Sequence, residues 1–194
     1  MLEIRTTQEM RDISLAQLRI SYLDNLTWTR SRQASLQGQY YFRCACQHCE
    51  GGVQYNMVYK HNYSEEEDLS VRIRDYISES SNSIQSGKDI MEEMKERICI
   101  ESIIFLQVSK LLFTQCVEGD DNDTLEYGEI CRAAFRHHTH LSPMGNIITL
   151  VRLARVRFIS GLGFRDIMNE ILEIENNYFK AESIDVAHIL QLIQ

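Results

Sequence analysis

A single proline, Pro143, and nine glycines punctuate 194 residues. With so few breaks, long internally hydrogen-bonded helices are the favoured outcome, because a chain of short strands needs turn residues about every 8–12 positions. The apolar pattern agrees from residue 64 onward. Ser64 with Glu67 makes a capping-box start, and Leu69, Ile73, Tyr76 and Ile77 follow at helical spacing. A second helical stretch from Lys88 to Cys116 carries Ile90, Met94, Ile98, Phe105, Leu106, Leu112 and Cys116. Glu118–Asp123 reads as a loop, and Thr124 caps a helix through Phe135. Ser142-Pro143 places proline at the first helical position of a helix to Ser160, with Ile147, Leu150, Val151, Ala154 and Phe158 inward. Gly161-Leu162-Gly163 turns the chain into a partner helix from Phe164 to Lys180, and a last helix capped by Ser183 spans Ile184–Leu192. Helix pairs with short connections suggest a tetratricopeptide-like solenoid.

Before residue 64 the pattern differs. Leu2, Ile4 and Thr6 alternate, and Leu18–Tyr22 alternates again, as strands do. A short helix fits between Thr29 and Tyr40, with Leu36 and Tyr40 one turn apart. The charge divides at the same place. Residues 1–63 carry 7 Lys/Arg against 5 Asp/Glu, whereas residues 64–194 carry 13 against 23. So acidic a second part disfavours direct nucleic-acid binding, which needs basic patches, and suits either a solvated helical surface or basic protein partners. No membrane span is expected, since the apolar run Ile103–Leu106 stops at Gln107. Met1–Arg5 lacks the apolar core of a signal peptide, which predicts a reducing location, cytoplasm or nucleus.

The six cysteines fall into two groups. Cys99, Cys116 and Cys131 sit singly among apolar residues and read as core thiols. Cys44, Cys46 and Cys49 crowd into six residues and read as metal ligands, zinc above all, because close-set thiolates suit a tetrahedral ion. A closed zinc site needs a fourth ligand from elsewhere, and His48 is a weak candidate for it. His137, His138 and His140, at a helix end, read as surface residues that complement the helix dipole. Gly161-x-Gly163 follows a helix, so it is no dinucleotide fingerprint. There is also no Walker loop, zincin motif or nucleophile elbow.

Longer stretches carry a resemblance. Met10–Ile13, Leu18–Asp24, Arg32, Leu36 and Tyr40-Tyr-Phe-Arg-Cys-Ala-Cys-Gln-His-Cys49 resemble the end of a SET domain and its post-SET loop, most narrowly those of the SMYD (SET and MYND) protein-lysine methyltransferases. Leu125–Gly128, Leu141–Gly145 and the Gly161 hairpin are similar to that family's tetratricopeptide-like domain. The resemblance implies a mainly α fold in three parts: a SET end over 1–27 with a short β remnant, a post-SET zinc segment over 28–63, and a helical solenoid over 64–194.

It also implies roles. Tyr22 matches the tyrosine that closes the lysine channel beside the transferred methyl, a catalytic and cofactor-adjacent position. Phe42 matches an aromatic residue packed on the adenosine of S-adenosylmethionine. Cys44, Cys46 and Cys49 match the zinc ligands, whose fourth partner lies in an upstream Asn-His-x-Cys segment. Without the resemblance, Tyr22 and Phe42 read as core aromatics. That Asn-His-x-Cys segment and the upstream glycine-rich cofactor segment have no counterpart in these residues, and Leu15–Leu18 stands where the family has Gly-Glu-Glu-Leu. The expected activity is methyl transfer to a lysine-containing protein, a histone among the candidates, by a chain with too little catalytic core to act alone. The alternative is a non-catalytic helical scaffold that binds protein partners through its solenoid.

Overall fold

A computed structural model describes residues 29–50, 57–60, 67–78 and 83–179. The strand-like runs before Asp24, Tyr22 with them, lie outside these residues, as do Ser64, Gly51-Gly52 and the helix expected from Ile184. The described chain is mainly helical and contains no strand; a single isolated bridge joins Tyr59 to Ile98.

Helix α1 (Thr29–Tyr40) precedes the cysteines, and the four-residue α2 (Gln47–Glu50) carries the last of them, Cys49. The helical body comes next as α3 (Glu67–Ser78), α4 (Ile84–Arg97), α5 (Ile103–Glu118), α6 (Thr124–Arg136), α7 (Pro143–Ile159) and α8 (Arg165–Tyr178). From α4 onward each helix packs on its neighbours in sequence, while α3 lies against both α4 and α5. The most apolar of them, α5, buries residues around most of its circumference, among them Ile104, Leu106, Val108, Leu112 and Phe113. A helix apolar on all sides belongs at the centre of a core, and α5 sits there, touching α3, α4 and α6. Gly128 of α6 allows a close approach: an added Cβ would fall 2.6 Å from Leu153 and 2.9 Å from Phe113. Gly161, at φ +70°, turns α7 into α8 in a conformation that other residues rarely adopt.

The stretch read as continuous from Lys88 to Cys116 is two helices, broken over Ile98–Ser102. The reason is tertiary. The extended segment Met57–Lys60 lies across the break, where Cys99 N–H donates to Val58 O at 2.7 Å and Lys60 N–H to Arg97 O at 2.9 Å. Ser102 does not cap α5 with its hydroxyl; that hydroxyl accepts from Val58 N–H at 2.9 Å instead. Backbone groups that a continuous helix would have satisfied internally are satisfied by another segment. Met57 is thereby drawn into the core, 4% exposed.

Three finer expectations change. Phe158 does not face inward; it is half exposed and meets Phe164 edge-on at 6.1 Å. Cys116 and Cys131 are core thiols, but Cys99 is only half-buried, because it lies in the connection between α4 and α5 rather than on an inward helix face. His138 is buried, whereas His137 beside it is exposed. The chain after α6 folds back through Leu141 N–H to His138 O at 2.9 Å, and this turn places His138 against the start of α5 rather than in solvent.

Charged pairs tie the last three helices together. Arg132 of α6 donates to Asp166 at 2.7 Å and Glu170 at 2.9 Å, both on α8. Arg157 of α7 reaches Asp166 at 2.9 Å and also Glu129 of α6. No helix among the described residues is long and apolar enough to cross a membrane.

Candidate metal centre

The site is assembled by one reversal of the chain. Helix α1 forms over the expected range and ends at Tyr40; Tyr41 comes next at φ +58°, a left-handed conformation uncommon for a side-chain-bearing residue. That turn sends Phe42–Cys46 back alongside α1. Gln33 then grips the returning strand of loop at both polar groups of one residue: its Nε2 donates to Cys44 O at 2.7 Å and its Oε1 accepts from Cys44 N–H at 3.0 Å. The loop closes into α2 through Cys49 N–H and Glu50 N–H, both donating to Cys46 O at 2.9 Å.

These contacts bring the three cysteines together, with every pair of Sγ atoms within 4.8 Å. A tetrahedral ion with Zn–S bonds of about 2.3 Å needs sulfurs about 3.8 Å apart, so small side-chain adjustments suffice. The donor set therefore fits a thiophilic divalent ion such as zinc. Cys44 and Cys49 are half-buried and Cys46 is exposed, which leaves one side of the cluster open to a fourth ligand. Among the described residues no His, Asp or Glu joins the group.

Burial pushes the Cys49 thiol up to about 11; Arg32 beside it pulls the other way, and hydrogen bonds with Cys46 and Cys44 raise it further. A metal ion must therefore displace a proton from Cys49 to bind there, which couples binding to pH. Cys116 and Cys131 are packing thiols: burial pushes Cys116 up to about 11 and Cys131 up to about 12, and among the described residues neither belongs to a group of possible metal ligands.

Of the other expected site residues, Phe42 lies two residues before Cys44 and is 37% exposed, so it is not a core aromatic. Tyr22 lies outside the described residues, and so does the side chain of His48. Sequence reading misses the residues that hold the loop. Thr29, Arg32 and Leu36 share one face of α1, and all three are buried. An arginine on the same face as a buried leucine is a detectable signal, because a buried guanidinium must find an acceptor. Here Arg32 Nη2 donates to Cys49 Sγ at 3.2 Å and to Thr29 Oγ1 at 3.4 Å.

Among the concavities of the helical body, an open groove of about 520 Å³ is floored by Ile98, Ile100, Phe105 and Ile130, with Lys60, Lys95, Glu101 and Glu129 also lining it. It holds no cluster of catalytic groups. No protein-family model matches the chain, and no curated protein matches it either.

Proposed function

We propose that this chain is the C-terminal portion of a SMYD-type protein-lysine methyltransferase: a SET end over 1–27, a post-SET zinc segment over 28–63, and a tetratricopeptide-like helical domain over 64–194. The observation that carries the reading is the gathering of Cys44, Cys46 and Cys49 at the spacing on which the resemblance rests. Support also comes from the helical body C-terminal to them, in which sequential helices pack on one another.

In this reading the three thiolates hold zinc, and the ion supplies folding free energy to a loop with little apolar core of its own. Phe42 offers its exposed ring to the adenosine of S-adenosylmethionine, the cofactor that supplies the methyl group when bound. Tyr22 orients the lysine amine, which attacks only when neutral; a desolvating channel lowers its pKa from about 10.4 in water toward neutrality. Such a channel requires a SET core beyond these segments, so methyl transfer is not expected of this chain alone. The proposed compartment is the cytoplasm or nucleus, since three close-set thiols that bind a metal suit a reducing environment.

Metal analysis of the purified chain, with calorimetry against S-adenosylmethionine and a methyl-transfer assay on a lysine peptide, tests this. Expected are one zinc per chain, its loss in Cys46→Ser, and no methyl transfer. A chain that purifies without zinc and does not take it up sinks the post-SET reading.

A second reading has its own support. The open groove beside Ile98 and Phe105 has a mostly apolar floor, with Lys60 and Lys95 set against Glu101 and Glu129 along it, and suits a short apolar peptide segment, as a helical adaptor would bind. Measurable methyl transfer by the isolated chain would rule out a purely adaptor role.

A further inference from the structure

Arginine is seldom buried without an anion, since transfer of its charge from water is costly unless it is paired and hydrogen-bonded. Arg32 is 4% exposed, and its guanidinium points at the metal loop: Nη2 donates to Cys49 Sγ at 3.2 Å. The same nitrogen reaches Thr29 Oγ1 at 3.4 Å, which ties the head group back to its own helix. One position on, Gln33 fixes the backbone of Cys44 with two hydrogen bonds. Consecutive residues of α1 thus hold opposite ends of the cysteine loop, one by charge on a sulfur and the other by shape on a peptide group.

The charge balance gives Arg32 its role. Three thiolates around a divalent ion carry a net charge of minus one, and a half-buried site pays a desolvation penalty for it. A guanidinium at hydrogen-bond distance from one sulfur offsets part of that charge, whatever the fourth ligand adds. Charge-assisted N–H donation to a thiolate also stabilises its lone pairs, which lowers its reactivity toward electrophiles. We infer that Arg32 is a positioning residue of the metal centre, whose guanidinium offsets the negative charge of the three-thiolate set and thereby sets how tightly that set holds a divalent thiophilic ion. The inference rests on the metal-binding reading and assigns to α1 a function that the cysteine spacing does not contain.

The test uses the full chain. Zinc affinity is measured by competition with a chromophoric chelator, and cobalt(II) serves as the spectroscopic probe, for wild type, Arg32→Gln, Arg32→Lys and Gln33→Ala. Removal of an outer-sphere hydrogen bond to a ligand typically weakens metal affinity about 10–100-fold, and Arg32→Gln is expected in that range. Its sulfur-to-cobalt charge-transfer band moves to lower energy, because the sulfur lone pairs are no longer stabilised. Gln33→Ala loosens the loop and weakens binding while the band stays in place, since the charge on Cys49 is untouched. Zinc affinity in Arg32→Gln equal to wild type overturns the inference, and so does weaker binding with an unmoved band, the mark of a packing role alone. Should Arg32→Gln bind no metal, Arg32→Lys decides: restored cobalt binding supports the charge role, and none overturns it. A wild-type chain that binds neither ion overturns the metal reading itself, and this inference with it.

Discussion

The cysteine loop and the helical body are held by opposite means. Among the described residues of 29–50, Leu36 is the one buried apolar side chain; the other buried residues are Thr29 and Arg32. The loop is kept by directional contacts, Gln33 on the Cys44 backbone and Arg32 on the Cys49 sulfur. In the body, a contiguous apolar cluster runs from Met57 to Ile174, and charged pairs such as Arg132–Glu170 lie along its edge. A segment without a core depends on a ligand to order it, whereas a segment with one does not. The two should therefore come apart under different perturbations.

The largest effect is expected at the loop. In the proposed zinc-bound form the ion contributes about 10–16 kcal/mol of apparent binding free energy, so its removal by chelation, or Cys49→Ser, should abolish order there. Amide hydrogen exchange should then show protection lost across α1 and α2 and retained in α5 and α6. Equal loss in both regions would mean that the body also depends on the metal.

The converse perturbation strikes the core. Phe135 is fully buried in α6, and Phe135→Ala should destabilise the body by about 3–5 kcal/mol in denaturant titration. Zinc content measured below the transition should stay unchanged. Somewhat smaller is the expected cost of Arg132→Ala. Its side chain is 8% exposed while Asp166 is 53% exposed, so water screens part of the loss and the cost should be about 2–3 kcal/mol. A double variant with Glu170→Ala should cost less than the sum of the two single changes.

The smallest effect is one of pH. Burial holds His138 below its ordinary 6.5, with His137 and His140 pushing the same way and the Glu101 and Ser102 backbone opposing them. The unfolded chain then takes up the proton first as pH falls. Stability from neutral His138 is fully present above pH 6.5 and declines as pH drops through that value toward the folded pKa. His138→Leu should flatten this part of the stability profile. An unchanged slope would assign it to other groups. The acidic pairs act lower down: Asp121 and Asp166 are both held below 3.8, the first chiefly by hydrogen bonding from Lys88 and the second by Arg132 and Arg157 against the opposing effect of burial. Their contribution is present above 3.8 and is lost at more acid pH.

Much of the body was readable because its helices are amphipathic in isolation. Leu69, Ile73 and Tyr76 recur at helical spacing and are buried, and Ser142-Pro143 and Gly161 mark helix boundaries through local backbone chemistry. The break at Ile98–Ser102 was not readable, since nothing in that stretch forbids a helix. Helix formation stops there because Val58 and Lys60, far upstream in the chain, compete for its backbone groups. His138 was misplaced for a related reason: a helix-end histidine faces water unless the next turn folds over it. In the metal centre the cysteine spacing was legible, and the helix that carries Arg32 and Gln33 was too. Their use was not, because it depends on the Tyr41 reversal that lays the loop along α1.

Sequence alone thus determined the local choices: helices where apolar residues recur at 3.6-residue spacing, and a thiol cluster where three cysteines fall within six positions. These depend on interactions between near neighbours, which proline, glycine and side-chain periodicity encode directly. Tertiary structure alone decided which buried groups meet, namely Arg32 with Cys49, Ser102 with Val58, and Arg132 with Asp166 and Glu170. A buried charge or unpaired backbone group takes whichever partner the fold delivers, and that partner is selected by the cost of leaving it unsatisfied rather than by proximity along the chain.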